Sequence, residues 1–168
     1  MMMNQFDFLK KVKGMEFSGI YGELLHTYKN DHKITVIVDP AILCFWQING
    51  DRNEKFWHIK WQELRSGNDA LIITEQDTPA PLKFEETEMG SQKYLIHSAS
   101  FSTFKNKISN VWGYGFTEEE VVWIRVIILE LEDSFVHIQA SPAMEYKVLD
   151  KFPEIHPFDE LLVTTEKE

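Results

Sequence analysis

Short apolar runs separated by turn residues make up most of the chain. From Glu16 onward the runs are rich in β-branched and aromatic residues, and turn residues interrupt them about every ten positions. This pattern is typical of an antiparallel meander. It predicts ten strands, near 16–28, 33–38, 42–48, 55–61, 70–74, 82–86, 92–98, 121–128, 135–140 and 145–149.

Two segments have a helical spacing instead. The apolar residues between Met2 and Val12 predict a short amphipathic N-terminal helix, which Gly14 ends. A second helix is predicted near 102–112, because apolar residues recur there at intervals of three, four and three positions: Phe101, Phe104, Ile108 and Val111.

The predicted fold is α+β and predominantly antiparallel β. A strongly twisted sheet of about ten strands seldom stays open and flat, so we expect it to curl, either into a barrel or into a sandwich. Residues 1–150, including the N-terminal helix, are predicted to form one globular domain. Residues 151–168 contain two prolines and an acidic end, and they are predicted to form a C-terminal arm.

The charge balance disfavours nucleic acid as a partner. The chain has 168 residues, with 17 Lys and Arg against 27 Asp and Glu, and a formal net charge of -10. Binding to a phosphate backbone needs a surplus of cations on the binding face. The acids concentrate in 75–88, 117–133 and 151–168. Such an acidic surface is suited to steering a basic protein partner.

The N-terminal sequence and the cysteine content predict a cytoplasmic protein that does not contact a membrane. The first residues lack a cationic leader, and no apolar run approaches the roughly twenty residues of a helical membrane span. Cys44 is the only cysteine, so no intramolecular disulfide can form. It lies in an apolar run, which predicts an unreactive thiol in the core.

Local signatures of catalysis are missing. Four of the six histidines fall in predicted strands, at His26, His58, His97 and His137, but their spacing matches no metal motif. No serine lies in a nucleophile elbow, and Gly113-Tyr114-Gly115 lacks the third glycine of a dinucleotide fingerprint. We therefore expect no cofactor and no metal, and the sequence favours a non-enzyme.

The candidate binding residues are large aromatic side chains and one arginine. Arg125 has the parity of Trp123 and Ile127 within an apolar strand, so it is the charge most suited to burial, and it then needs an acidic partner or an aromatic ring. Trp57 and Trp61 share one strand face. The full candidate set is Trp46, Trp57, Trp61, Trp112, Tyr114, Trp123 and Arg125.

Three functional hypotheses follow. The first is a non-catalytic cytoplasmic binding protein that engages a protein partner through an acidic surface with exposed aromatics, as an inhibitor or immunity-type module does. The second is a β-barrel carrier of an apolar small molecule, its cavity lined by Trp46, Trp57, Trp61 and Trp123. The third is a histidine-dependent metalloenzyme. The sequence does not determine the oligomeric state.

Overall fold

The computed structural model describes residues 4–47, 54–88, 93–141 and 144–166. Within them, one short 3-10 helix, Asp7–Val12, precedes fourteen strands. The strands are β1 Glu16–Gly22, β2 His26–Asn30, β3 Lys33–Ile37, β4 Ala41–Trp46, β5 Glu54–Glu63, β6 Asp69–Gln76, β7 Phe84–Glu86, β8 Tyr94–Ile96, β9 Ala99–Phe101, β10 Asn110–Glu118, β11 Val121–Glu130, β12 Phe135–Gln139, β13 Glu145–Leu149 and β14 Glu160–Thr164.

Antiparallel pairing joins most of the strands into one curled, half-barrel sheet, which confirms the predominantly β prediction. Ten strands follow one another in the order β2-β3-β13-β12-β11-β6-β5-β4-β1-β9. On its other edge β11 pairs with β10, and β10 pairs with β14. The hairpin β7-β8 forms a separate two-stranded sheet. No helix in the described residues is long and apolar enough to cross a membrane.

The concave side of the sheet is filled by apolar side chains. Fully buried residues from many strands form the main core, and Phe17, Phe45, Trp57 and Tyr146 are among the largest. The rings of Phe45 and Trp57 lie 4.5 Å apart, and Phe8 packs edge-on against Trp57 at 6.3 Å. Aromatic packing of this kind adds to the stabilisation that burial provides.

The prediction of an N-terminal α-helix is wrong in its detail, because Asp7–Val12 forms a 3-10 turn. In a 3-10 helix, residues three apart lie on one face. Leu9 and Val12 are buried in the main core, and Phe6 packs against it. The three-residue spacing of these apolar side chains thus suits the tighter turn.

The predicted helix near 102–112 is also wrong. Residues 102–109 are irregular, and β10 begins at Asn110. Ile108 and Val111 are buried as expected, but Phe104 is fully exposed. The apolar strand β11 follows along the chain, and β10 supplies it with an antiparallel partner. That pairing overrides a helical spacing that rested on only four residues.

The C-terminal residues, predicted to be an arm, lie against the rest of the molecule. Phe152 packs on Trp112 at 4.9 Å and on Phe135 at 5.7 Å between ring centroids, and Ile155 joins the same cluster. Strand β14 then pairs with β10. Without β14, the backbone groups along that edge of β10 would be unpaired, which explains why the segment returns to the sheet.

Candidate functional site

Arg125 lies where β11 changes its partner on one edge from β12 to β6. On one edge of β11, Val126 to Glu130 pair with β12, whereas Ile124 pairs with Leu71 of β6. On the other edge, Tyr114 of β10 lies opposite Val126 and Gly115 opposite Ile124. Arg125 is therefore the extra residue of a β-bulge. Bulges bend a strand and change the direction of side chains, and they are frequent beside functional sites.

The bulge changes which face of the sheet each side chain of β11 occupies. Ile124, Ile127 and Leu129 all lie in the main core, although strict alternation would separate Ile124 from the other two. Val126 packs in a smaller cluster on the outer face of the sheet. The prediction that Arg125 shares a face with Ile127 is thus wrong, because the extra residue shifts the alternation. Trp123 does share the outer face, where it lies opposite Phe116.

The Arg125 guanidinium binds a buried carboxylate from the C-terminal segment. Its Nη2 lies 2.7 Å from Oδ1 of Asp159, and its Nε donates to the same oxygen at 3.0 Å. The Asp159 side chain is 1% exposed and that of Arg125 is 20% exposed. The guanidinium also lies over the ring of Phe116, 5.5 Å from its centroid. Arg125 thus has both an acidic partner and an aromatic ring.

A cavity of about 470 Å³ opens beside this ion pair. Arg125 contributes to its wall, together with two rings of the C-terminal segment, His156 and Phe158, which stack at 5.2 Å between centroids. The backbone N–H of Phe158 donates to Nδ1 of His156 at 3.2 Å, which fixes the two residues relative to each other. The other lining residues are Asn68, Phe116, Thr117 and Glu118.

An acidic hairpin turn stands at the edge of the cavity. Glu119 and Glu120 connect β10 to β11, and both have positive φ, 52° and 66°. Two-residue hairpin turns of type I′ require positive φ at both positions, which non-glycine residues adopt at an energetic cost. Glu118 holds the base of the turn, because its carboxylate accepts hydrogen bonds from Ser66 at 2.5 Å and from Asn68 at 3.0 Å. The turn is therefore a solvated acidic projection in a fixed position.

Several apolar side chains around the cavity are exposed to solvent. Phe158 is 79% exposed and Leu161 is 52% exposed. Leu161 lies opposite Tyr114 in the β10-β14 pairing, so both face outward. Val121, next to the acidic turn, is also exposed. These exposed apolar side chains, beside the charged residues at the cavity, form a candidate interaction surface.

We refer to this surface as the outer face, and define it by residues of β10, β11 and the C-terminal segment. Four of the seven candidate residues, Trp112, Tyr114, Trp123 and Arg125, belong to it. Trp112 is nearly buried under Phe152, and its indole donates to Glu166 at 2.9 Å. The remaining members are Phe116, Glu118, Glu119, Glu120, Val121, His156, Phe158, Asp159 and Leu161.

The structure places the other three tryptophans elsewhere. Trp57 is fully buried in the main core. Trp61 packs against the edge of that core and donates from its indole to Asp69 at 2.8 Å. Trp46 packs against a separate cluster that includes Cys44 and Phe56. Of the tryptophans named for a carrier cavity, Trp57 and Trp61 share the main core, whereas Trp46 packs in another cluster and Trp123 lies on the outer face.

The residues that complete this surface have no distinguishing pattern in the sequence. Asp159, His156 and Phe158 lie in the segment predicted to be an arm, and Phe116 is not among the seven candidate residues. The requirement that a buried Arg125 have an acidic partner was the available signal. Because three acidic stretches fit that requirement, spacing alone did not point to Asp159.

The histidines and the cysteine have separate environments. Among the described residues, no group of three or more His, Cys, Asp and Glu side chains is placed to hold a metal ion. Burial, with Lys147 nearby, lowers the pKa of His137 to about 4. Burial, with Glu54 nearby, raises the pKa of Cys44 to about 12, as expected for a thiol in the core.

The chain was compared with protein families, curated proteins and solved structures, and none of them matches it.

Proposed function

We propose that this protein is a non-catalytic binding module whose outer face engages a basic protein partner, in the manner of an inhibitor or immunity-type protein. The observation that carries the proposal is the exposed Phe158 beside a cavity at the foot of the acidic turn Glu119-Glu120. An apolar anchor next to a charged projection provides both affinity and orientation.

Apolar contacts supply the affinity in this proposal. Fully burying a side chain such as Phe158 or Leu161 is worth about 1.5–3 kcal/mol. The cavity between Phe158 and Phe116 accommodates an apolar or aromatic side chain of the partner. Because the ion pair of Arg125 with Asp159 fixes the C-terminal segment, the surface is already organised before binding, and little ordering entropy is lost.

The acidic turn supplies the preference for a basic partner. Glu118, Glu119 and Glu120 lie together at the end of the hairpin, in a chain whose net charge is -10. Such a concentration of negative charge accelerates encounter with a positively charged surface, and added salt screens it. Binding is therefore expected to weaken as ionic strength rises.

The test is capture from native lysate with matched variants, followed by calorimetry with the purified captured protein. We expect F158D to abolish capture and E119Q/E120Q to weaken it and reduce its salt dependence. The control L24D introduces the same charge at Leu24, an apolar side chain as exposed as Phe158 but outside the outer face, and should leave capture unchanged. The proposal would be contradicted if F158D and E119Q/E120Q captured the partner as well as wild type does. It would also be contradicted if wild type captured no partner whose binding weakens with added salt.

A further inference from the structure

We infer that the chain forms a two-fold homodimer in which Phe104 of each copy enters an apolar groove of the other. The groove and Phe104 lie together on a surface that shares no lining residue with the cavity at Arg125. The inference is therefore independent of the proposed function.

The groove lies where the two ends of the curled sheet approach each other. Its volume is about 360 Å³. Ile34 and Val148 lie directly opposite each other in the β3-β13 pairing, and both pack against the main core. Phe101, at the end of β9, packs against the same core from the other end of the sheet. These three side chains give the groove an apolar floor.

Phe104 stands at the rim of this groove without burying itself in it. Its relative exposure is 105%, the highest of the exposed large apolar residues in the described chain. Leaving a phenylalanine in water forgoes the stabilisation that burial of its ring would supply. An exposed ring beside an apolar groove of similar chemistry is a complementary pair, and a second copy of the chain carries the same pair.

A two-fold axis allows both rings to be buried at once. When a projection and its groove belong to one surface, the symmetric arrangement places each Phe104 in the groove of the opposite copy. The contact is then isologous and closed, so it stops at two chains and does not propagate into a filament.

The charges around the groove make this patch a more favourable place for two copies to meet than the rest of the acidic surface. The lining includes three lysines and three aspartates, so these six residues sum to zero in a chain with a net charge of -10. Two copies repel least where they meet through such a balanced patch. The six residues are Lys29, Lys33, Lys105, Asp31, Asp133 and Asp150.

Most of these charges are available to a second copy. Among the described residues, Asp150 forms one ion pair, 3.8 Å to the imidazole of His32, and the other five form none. Lysines of one copy can therefore pair with aspartates of the other across the two-fold axis. Exposed pairs of this type contribute little individually, so we assign them orientation and leave the affinity to Phe104.

Sedimentation equilibrium or size-exclusion chromatography with light scattering tests the dimer. Wild type should reach twice the monomer mass as concentration rises, and F104D should remain monomeric. F158D is the matched control, because it places the same charge at an exposed phenylalanine that belongs to the outer face and not to the groove. It should dimerise as wild type does. Circular dichroism of each variant verifies that the fold is retained.

A charge exchange tests the orientation. K33D/K105D and D133K/D150K should each fail to dimerise alone, since each meets a copy of its own sign, whereas an equimolar mixture should form a heterodimer. Wild type that stays monomeric at every concentration, or a dimer that F104D leaves intact, would overturn the inference. So would native mass spectrometry that finds a small apolar molecule in the groove of a monomer.

Discussion

The buried carboxylate of Asp159 lies 2.7 Å from Nη2 of Arg125. This ion pair joins the C-terminal segment to β11 at the position where β11 changes partner from β12 to β6. The contact joins two positions 34 residues apart in the chain. It also positions Phe158, the preceding residue, at the mouth of the cavity. A single ion pair thereby links the bulge in β11 to the proposed binding surface.

Removing either partner of this pair should destabilise the protein, and unequally. In R125A the Asp159 carboxylate is left buried without a counter-charge, which costs about 3–5 kcal/mol. In D159A the remaining guanidinium is partly exposed and can be hydrated, so the loss should be smaller. Urea denaturation monitored by tryptophan fluorescence measures both values.

The exposed contact between His32 and Asp150 provides the control for that experiment. Both of its side chains are largely solvent-exposed. D150N should therefore change the free energy of unfolding by less than about 1 kcal/mol. If R125A costs no more than D150N, the Arg125 pair does not fix the C-terminal segment.

Stability should fall as the pH is lowered, and His137 should account for a defined part of the loss. Its pKa in the folded protein is about 4, against an ordinary value of 6.5. The unfolded chain therefore binds the proton first, and the stability lost through His137 accumulates between about pH 6.5 and pH 4. Between pH 7 and pH 5 this amounts to about 2 kcal/mol.

H137L should remove this part of the pH dependence. Nδ1 of His137 is buried and has no hydrogen-bond partner among the described residues, so leucine sacrifices no hydrogen bond. Denaturation midpoints at the two pH values, compared between wild type and H137L, isolate the contribution from that of the carboxylates. H26L, at an exposed position, is the matched control variant for replacing an imidazole with leucine. Equal slopes in wild type and H137L would refute the assignment.

Gly115 should tolerate alanine far less well than Gly113, although both lie on β10. A Cβ at Gly115 would collide with the carbonyl oxygen of Trp123 and lie 2.9 Å from Cα of Ile124, both backbone atoms at the bulge. A Cβ at Gly113 would instead meet the ends of the Val163 and Ile124 side chains, at 2.7 and 2.9 Å, and these can move. We expect G115A to lose at least about 3 kcal/mol and G113A about 1–3 kcal/mol, as overpacking does. Thermal denaturation of the two variants compares them, and equal costs would contradict the bulge geometry.

Cys44 should be inert in the native protein. Burial raises its pKa to about 12, so almost none of the thiol is ionised at pH 8. Ellman's reagent should react with less than about a tenth of the thiol under native conditions, and completely in denaturant. Rapid stoichiometric labelling of the folded protein would show that β4 opens readily.

The sequence by itself determined the strand-rich architecture. Alternation of β-branched and aromatic residues specifies strands locally, and turn residues such as Asp39-Pro40 and Ser66-Gly67 separate them, so this information survives without tertiary contacts. The same alternation predicts that Trp57 and Trp61 share one strand face, and Trp57 lies in the main core while Trp61 packs against it. The apolar surroundings of Cys44 likewise revealed its burial.

Only the tertiary structure decided what Arg125 faces and what covers it. At this bulge β11 changes partner from β12 to β6, and the pairing of Ile124 with Leu71 joins residues about 50 positions apart in the chain. The segment 102–112 is not helical, because its last residues begin β10, which pairs with β11. Strand β14 pairs in turn with the other edge of β10. Hydrogen bonds between strands join residues that are far apart in the chain. The local pattern that predicts each strand therefore does not predict which strands pair with it.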